Sequence, residues 1–263
     1  MLRKTIFFDI DGTLLGKKDG RRFQMPESAR AALRLLVRNG HRIAVCSGRQ
    51  EAFIHRYFPG VFQSYVAMNG THVVFEGETV YDRAFTAERV AELTDYFTRG
   101  NCRFVFIGKE HGWACNLPEE SVPFLNGVYG LPDFLRTHWE PEQIRANMMD
   151  FVFRTDAEYE RCRGLFTGGM AINRHPGGLT SDLSFEGEDK AAGIERFLAY
   201  SGIPREDTVA FGDGYNDVTM MKAVGLGVAM GNAVDEVKKA AGHVTSDLFD
   251  DGIYNGLKDL KLI

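Results

Sequence analysis

The chain has 263 residues, of which 44% are hydrophobic and 25% are charged, and its formal net charge is -5. This length and apolar content allow a substantial core, arranged in one large domain or in two. The negative balance excludes a general attraction to nucleic acid or to an anionic membrane surface. We therefore expect a small-molecule partner, and an anionic ligand must be met by local cations or by a metal ion.

The start of the sequence carries no signal-peptide pattern, because residues 1–4 lead directly into an apolar run. No apolar stretch reaches the length that a bilayer-spanning helix needs. From these two features we expect a cytoplasmic protein that does not enter membranes. The four cysteines, Cys46, Cys102, Cys115 and Cys162, lack paired spacing. Their distribution favours reduced thiols over a disulfide framework or a zinc site.

Strands and helices are predicted to alternate over the first 85 residues. The predicted strands are residues 4–8, 42–45, 65–68, 72–75 and 79–81, the last two forming a hairpin. One helix is predicted to start at Pro26 and to end at Gly40, and a second covers the stretch around residues 52–57. Because the connections are short, this alternation predicts a parallel sheet and an α/β fold.

The texture of the sequence changes between residues 85 and 185, which predicts an inserted second domain. Its predicted helices are residues 86–98 and 157–166, and its predicted strands are residues 103–106, 149–153, 170–173 and 179–185. Residues 113–135 are rich in Pro, Gly and Asn and are predicted to be loops. We expect an α/β cap with an open-faced antiparallel sheet and helices on one side. The discontinuous core then comprises residues 1–84 and 186–263, where a helix after Asp189 and a strand at 208–211 continue the Rossmann-like parallel sheet.

Two carboxylates, Asp9 and Asp11, follow the first predicted strand directly. In an open α/β sheet, ligands bind at the carboxyl ends of the parallel strands. Burying two acids there is costly unless a cation or a shared proton compensates them. The segment therefore indicates a metal-assisted site for phosphate chemistry, although an ordinary Asp-Gly turn at Gly12 is the plainer interpretation of these residues alone.

A second polar cluster ends the strand at 208–211 and opens a helix, and it contains Asp213, Asn216 and Asp217. Clustered Asp, Asn and Gly can bind calcium, but neither acidic segment supplies the alternating ligands and the late Glu of a calcium loop. An Asx-rich turn that caps the helix explains one of the two acids well and the other poorly.

Lys190 starts a predicted helix, and taken alone it resembles a solvated surface lysine. In order along the chain, however, Asp9-x-Asp11-Gly-Thr, Ser47 at a strand end, Lys190 and Gly-Asp213-x-x-Asn216-Asp217 resemble the four motifs of the haloacid dehalogenase superfamily of phosphohydrolases. The position of the extra domain, with Ser47-Gly48-Arg49 and Asn69-Gly70-Thr71, is similar to the Cof-type branch with its large α/β cap. One departure is Ala191, where that branch usually has Gly after the lysine.

The residue types suggest how a phosphate monoester would be hydrolysed. Asp9 would attack phosphorus to form an aspartyl-phosphate, and Asp11 would protonate the leaving oxygen and later deprotonate water. The resemblance implies Mg²⁺ held by Asp9, Asp213 and the backbone carbonyl of Asp11, with Asp217 orienting these ligands. The sequence does not distinguish Mg²⁺ from Mn²⁺.

The remaining candidate residues would bind the substrate. Ser47, the Gly48 amide and Asn216 would donate hydrogen bonds to the phosphoryl group, and Lys190 would neutralise its charge while pairing with Asp9. Arg49 and Asn69 are candidates for selecting the leaving group, although Arg49 could equally be a surface residue. The resemblance implies sugar phosphates, nucleotides or phosphorylated cofactors such as pyridoxal phosphate as substrates, without choosing among them.

Two other functions remain open at this point. A phosphomutase uses the same pair of acids as a phosphatase. A phosphate-responsive binding module of the receiver type also combines an acidic pocket with a lysine, but such modules are about half this length and lack Asp11 and an inserted lid. The sequence leaves the oligomeric state open.

Overall fold

The computed structural model describes residues 3–163, 170–174 and 180–263, with backbone alone described for residues 171–174. The chain forms two compact units. The core unit comprises Met1–Arg49, Phe58–Tyr81 and Asp189–Ile263, and the inserted unit comprises Gln50–Tyr57 and Asp82–Glu188. Among the described residues, no helix combines the length and the apolar character needed to cross a bilayer.

The strands and helices are numbered in chain order. The strands are β1 (Thr5–Phe8), β2 (Gly16–Lys18), β3 (Arg21–Gln24), β4 (Arg42–Cys46), β5 (Tyr65–Ala67), β6 (His72–Phe75), β7 (Glu78–Asp82), β8 (Phe104–Gly108), β9 (Gly112–Cys115), β10 (Leu135–Arg136), β11 (Ala146–Val152), β12 (Met170–Arg174), β13 (Thr180–Phe185), β14 (Thr208–Gly212), β15 (Leu226–Ala229) and β16 (His243–Val244). The helices are α1 (Glu27–Arg38), α2 (Glu51–Tyr57), α3 (Ala87–Arg99), α4 (Val122–Tyr129), α5 (Asp156–Arg163), α6 (Lys190–Ser201), α7 (Asp217–Ala223), α8 (Asp235–Ala240) and α9 (Gly252–Asp259).

The core unit is built on an eight-stranded sheet with the order β16-β15-β14-β1-β4-β5-β6-β7. The strands from β16 to β5 pair in parallel, and β6 runs antiparallel to β5. This arrangement confirms the predicted α/β fold with a parallel-sheet core. Strand β1 lies between β14 and β4, and Ile6, Phe7 and Phe8 are fully buried, as expected for an apolar strand covered on both faces.

Helix α1 shows how the local sequence builds this unit. Its buried residues Ala29, Ala32, Leu33 and Leu36 recur at helical spacing and form one apolar stripe. Glu27 lies in the first turn, where a negative charge stabilises the helix by interacting with the positive end of its dipole. Gly40 follows the helix with a φ of +83°, a left-handed conformation that glycine adopts without a steric penalty.

The inserted unit contains a six-stranded sheet with the order β10-β9-β8-β11-β13-β12. Its pairs are antiparallel apart from β9 with β10. An apolar cluster joins α3 and α5 to the sheet; it includes Val90, Phe97, Phe104, Phe106, Phe151 and Tyr159. The unit therefore has the predicted arrangement of an antiparallel sheet with packed helices.

Two segments differ from the sequence predictions. Residues 113–135 are not all loop, because β9 starts at Gly112 and α4 spans Val122–Tyr129. Proline is tolerated in the first turn of a helix and left-handed glycine directly after its end, so Pro123 and Gly130 mark the limits of α4 and do not break it. The antiparallel ribbon of β2 and β3 has no counterpart in the predictions.

Some predicted bounds reach beyond the described residues. The helix predicted at residues 157–166 is described as Asp156–Arg163, and residues 164–166 lie outside the described range. The strand predicted at residues 179–185 is described as Thr180–Phe185, with residue 179 outside that range.

Candidate active site

The candidate site lies at the carboxyl edge of the core sheet. Asp9 follows β1, Ser47 follows β4, and Asp213 follows β14, and these three strands are neighbours in the sheet. The amide of Asp9 donates to the carbonyl of Phe211 (2.9 Å), so the pairing of β1 with β14 continues up to the first acid. Parallel pairing thus places polar groups from distant parts of the sequence at one edge.

Lys190 is the first residue of α6, and its side chain is completely buried. Its Nζ donates to Asp9 Oδ1 (2.6 Å) and to Asp217 Oδ1 (2.5 Å). The preceding residue, Asp189, caps the helix by accepting from the amide of Ala192 (2.8 Å). Burial alone would lower the pKa of Lys190, but the carboxylates of Asp217 and Asp9 raise it above its ordinary value. The lysine therefore stays charged between two acids.

Asp217, the second acid of its segment, has a structural role. Its Oδ2 accepts from the amides of Asp213 (2.9 Å) and Gly214 (2.8 Å), while Oδ1 receives Lys190. The residue is fully buried at the start of α7. Asp217 therefore fixes the loop that carries Asp213 and also anchors the lysine.

Asp213 is held by two residues of the first acidic segment. Thr13 Oγ1 donates to Asp213 Oδ1 (2.8 Å). Gly12 has a φ of +89°, and a Cβ at this position would clash with the carboxylate of Asp213. The sequence predictions placed Gly12 and Thr13 in a turn and in the first motif but assigned them no contact, because nothing in a single sequence indicates a partner 200 positions away.

One carboxylate oxygen from each of Asp9, Asp213 and Asp217 lies within 4.8 Å of the other two, and among the described residues this is the group that could hold a metal ion. Burial raises the pKa of Asp9 well above its ordinary range, against the opposing effect of Lys190. Burial and the neighbouring Asp217 raise the pKa of Asp213 to about 7. The raised pKa values reflect the cost of ionising three buried acids beside a single lysine, and a divalent cation would stabilise all three as carboxylates. Its oxygen ligands suit Mg²⁺ or Mn²⁺.

The side chain of Asp11 lies outside this three-residue group and binds Arg49. The guanidinium donates to both carboxylate oxygens, with Nε 2.6 Å from Oδ2 and Nη2 2.8 Å from Oδ1. The ring of Phe23 lies 5.2 Å from the guanidinium carbon. Arg49 precedes α2, and the structure thus pairs it with the second acid of the first segment. Phe23 was missed, and its φ of +56°, uncommon for an aromatic residue, marks a constrained position that no sequence signal shows.

Three polar residues and a glycine from separate segments lie close together. Ser47 is buried, and its Oγ accepts from the amide of Arg49 (3.2 Å). A Cβ on Gly48 would lie 3.2 Å from Asn69 Oδ1, so glycine allows this close approach. Asn216 Nδ2 donates to Asn69 Oδ1 (3.2 Å). The structure thus brings Ser47, Gly48, Asn69 and Asn216 together, as the sequence order suggested they should be.

The profile of the haloacid dehalogenase-like hydrolases matches residues 6–257, which is nearly the whole chain. The chain belongs to this family. Among its relatives, the YkrA protein of Bacillus subtilis strain 168 is 32% identical over 265 residues, covering 99% of this chain and 98% of YkrA. The resemblance inferred from the four motifs is therefore confirmed.

Two further comparisons concern phosphatases of the haloacid dehalogenase type. The pyridoxal phosphate phosphatase YbhA of Escherichia coli K12 is 26% identical over 279 residues, covering 96% of this chain and 97% of YbhA. The solved structure of BT1666 from Bacteroides thetaiotaomicron, described among phosphatases of this superfamily, matches with a TM-score of 0.82 and 26% identity, covering 100% of this chain and 96% of that one. This member of the family is accordingly an enzyme of the haloacid dehalogenase-like phosphatase class.

Proposed function

We propose that this protein is a Mg²⁺-dependent phosphatase that hydrolyses a small phosphate monoester through an aspartyl-phosphate on Asp9. The observation that carries the proposal is the buried carboxylate of Asp9, which lies 2.6 Å from the Lys190 ammonium and within 4.8 Å of two further acids. A carboxylate at the end of a central strand, fixed beside a permanent positive charge, is suited to attack an anionic phosphoryl group.

The donor set fits the proposed cation. Asp9, Asp213 and the backbone carbonyl of Asp11 would hold Mg²⁺, and Asp217 would orient them through its bonds to the Asp213 amide and to Lys190. When bound, the ion neutralises charge on the phosphoryl oxygens and on the carboxylates around it. The raised pKa of Asp213, about 7, supports this assignment, because a bound cation would stabilise the ionised form that burial and Asp217 disfavour.

In the first step an oxygen of Asp9 forms a bond to phosphorus while the ester P–O bond breaks. The leaving alkoxide takes a proton from Asp11, which becomes a carboxylate. In the second step Asp11 takes a proton from water, the water oxygen bonds to phosphorus, and the acyl-phosphate P–O bond breaks to regenerate Asp9. An acid at position 11 therefore serves both steps, because the group that donates the first proton is restored by the second.

Arg49 has a defined part in this sequence of steps. In the structure it donates to both oxygens of Asp11 and so occupies the side chain that would transfer the proton. An oxygen-rich leaving group offers the guanidinium other acceptors in place of Asp11. We therefore assign Arg49 the task of exchanging Asp11 for the substrate, which frees Asp11 to act as the acid.

The phosphoryl group would be bound by the polar residues beside the acids. Ser47, the Gly48 amide, Asn216 and Lys190 supply donors around the position that Asp9 attacks, and Asn69 orders Asn216 through their 3.2 Å contact. Together with the proposed metal ion, these donors would stabilise a phosphate dianion on a chain whose net charge is negative.

The proposed substrates are small phosphate monoesters, namely sugar phosphates, nucleotides and phosphorylated cofactors. YbhA is named for pyridoxal phosphate, so this ester is the first to test. The role of residues 85–185 as a cap that selects the leaving group belongs to the same proposal. So does the expectation that the protein's partner is a small molecule and not a nucleic acid.

The deciding experiment measures inorganic phosphate released from p-nitrophenyl phosphate by the wild type and by Asp9→Asn, each with Mg²⁺ and with EDTA. We expect turnover by the wild type with Mg²⁺ alone, and a loss of about 10⁴-fold or more in Asp9→Asn. No turnover in any condition, or transfer of phosphate within a sugar phosphate without release, would overturn the phosphatase proposal.

A further inference from the structure

Two cysteines that lie 60 positions apart in the sequence meet inside the inserted unit. Cys102 follows α3 and Cys162 lies in the last turn of α5, and their sulfur atoms are 2.7 Å apart. Both side chains are buried in the apolar cluster that joins these helices to the sheet. Neither residue has a part in the proposed phosphatase reaction.

The backbone on both sides of the pair is fixed by contacts that do not involve sulfur. The guanidinium of Arg161 donates to the carbonyl oxygens of Gly100 and of Asn101, the latter at 3.1 Å. Asn116 Nδ2 donates to the carbonyl oxygen of Cys102 (2.9 Å). The end of α5 is therefore tied to the turn after α3, so the proximity of the two thiols follows from the fold of the unit.

We infer that Cys102 and Cys162 are a redox-reactive pair that closes to an intrachain disulfide when the protein meets a low-molecular-weight disulfide such as oxidised glutathione. A sulfur–sulfur bond is about 2.05 Å long, so the two atoms need to move by less than about 1 Å to reach it. The inference concerns a site in the inserted unit and does not depend on the proposed phosphatase activity.

The reaction is an ordinary thiol–disulfide exchange. One cysteine loses its proton and attacks a sulfur of the oxidant R–S–S–R, which forms a mixed disulfide and expels one thiolate. The second cysteine then loses its proton and attacks the protein sulfur of that mixed disulfide, which expels the second thiolate. The cysteines lose two electrons to the oxidant, and their two protons leave with two molecules of R–SH.

The environment of the pair sets the speed of this exchange. Burial, with a further effect of the contact to Cys162, raises the pKa of Cys102 to about 12. The thiolate is therefore scarce at neutral pH, and oxidation is expected to be slow there and faster at alkaline pH. Exposed residues flank both cysteines in the sequence, namely Asn101, Arg161 and Arg163. The thiols thus lie just beneath the surface, where a local opening admits a small oxidant.

The bond would close a loop that contains strands β8 to β11 and helices α4 and α5, most of the inserted unit. A cross-link over a loop of this length restricts the unfolded chain strongly. We therefore expect the oxidised protein to unfold at a higher temperature than the reduced protein, by about 5 °C or more.

The test starts from fully reduced wild-type protein, freed of reductant and incubated with oxidised glutathione at pH 8 for several hours. Remaining thiols are blocked, the protein is digested with trypsin without reduction, and the peptides are identified by mass. Trypsin cuts after Arg99, Arg103, Arg161 and Arg163, so the disulfide joins a four-residue peptide to a dipeptide. We expect the free thiols to fall from four to two and this linked peptide to accumulate.

Variants make the test specific. Cys102→Ser and Cys162→Ser are each expected to abolish the linked peptide, whereas Cys115→Ser, the matched control in the same unit, is expected to keep it. Dithiothreitol should restore four thiols in the wild type. The inference is overturned if four thiols persist, if oxidation stops at glutathione adducts, or if the linked peptides contain Cys46 or Cys115 or join two chains.

Discussion

The two aspartates of the first motif, Asp9 and Asp11, each form an ion pair in the core unit, and the two pairs differ sharply in exposure. The side chains of Lys190 and Asp9 are 0% and 7% exposed, whereas those of Arg49 and Asp11 are 20% and 47% exposed. Removing one partner of a buried pair leaves an uncompensated charge and costs about 3–5 kcal/mol, whereas an exposed pair contributes about 0–1 kcal/mol. Asp9, the proposed nucleophile, is therefore fixed by its partner, whereas Asp11, the proposed proton donor, has a partner that a substrate could replace.

Breaking the buried pair is expected to have the largest effect. In the metal-free protein, Lys190→Met should lower the free energy of unfolding by about 3–5 kcal/mol, because Asp9 and Asp217 then lie buried without their cation. The measurement is chemical denaturation in EDTA and again with Mg²⁺, which should restore part of the loss. Lys222→Met, at an exposed lysine on α7, is the matched control and should change stability by less than about 1 kcal/mol. A loss as small as that in Lys190→Met would refute the fixed-nucleophile interpretation.

The position of the Asp213 carboxylate can be tested by a substitution at Gly12. Gly12→Ala should destabilise the protein by about 2–3 kcal/mol and weaken Mg²⁺ binding about tenfold or more, because the new Cβ displaces the carboxylate of Asp213. Gly20→Ala is the control, since Gly20 has a similar φ of +78° but open space around it. Isothermal titration with Mg²⁺ separates the two effects. Equal Mg²⁺ affinity in both variants would show that the contact with Asp213 does not matter.

Affinity for Mg²⁺ should depend on pH through Asp213. The pKa of Asp213 is about 7 in the folded protein and lies above the ordinary value that the unfolded chain has. Between about pH 4 and pH 7 the metal-free folded state therefore binds more protons than the unfolded state, so the free energy of unfolding without metal falls as pH rises through this range. Metal binding needs the carboxylate, so the Kd for Mg²⁺ should rise about tenfold between pH 8 and pH 6. Thr13→Val removes the hydroxyl that donates to Asp213, and it should move this transition to higher pH. A Kd that is constant over this range would contradict the assignment.

Breaking the exposed pair is expected to have the smallest effect on stability and a selective effect on activity. Arg49→Met should change the free energy of unfolding by less than about 1 kcal/mol. It should raise KM several-fold for a good natural ester while sparing p-nitrophenyl phosphate, because the guanidinium is proposed to bind the leaving group in place of Asp11, and the p-nitrophenyl group lacks the hydroxyl groups of a natural leaving group. Arg30→Met, which breaks the exposed pair with Glu27, is the control. Equal effects of Arg49→Met on both substrates would defeat the exchange hypothesis.

The sequence predicted the fold and most of the site for one physical reason: apolar strands that end in polar residues are visible locally. Asp9, Ser47 and Asp213 each follow such a strand, and parallel pairing of the strands brings the three residues to one edge of the sheet. Lys190 was predicted through the order of the four motifs, since its helix start resembles any other. Whether these residues perform the proposed chemistry stays a prediction for the experiments above.

What the sequence did not predict depends on contacts between distant positions. The ring of Phe23 on Arg49, the hydroxyl of Thr13 on Asp213, and the meeting of Cys102 with Cys162 each join segments that have no local pattern in common. Helix α4 was missed for a different reason. Its Pro and Gly lie where a helix tolerates them, so composition alone suggested loops.

The dispersion of the buried site along the chain has a consequence for protein synthesis. Asp9 is translated 181 residues before Lys190, which pairs with it in the folded protein. At about 5–20 residues per second, a ribosome needs about 10–40 s to supply that partner. The inserted unit, whose segments are complete by Glu188, is finished first. Asp9 on the nascent core sheet therefore lacks its partner until β14 and helix α6 leave the exit tunnel, and the candidate site forms as one of the last events of synthesis.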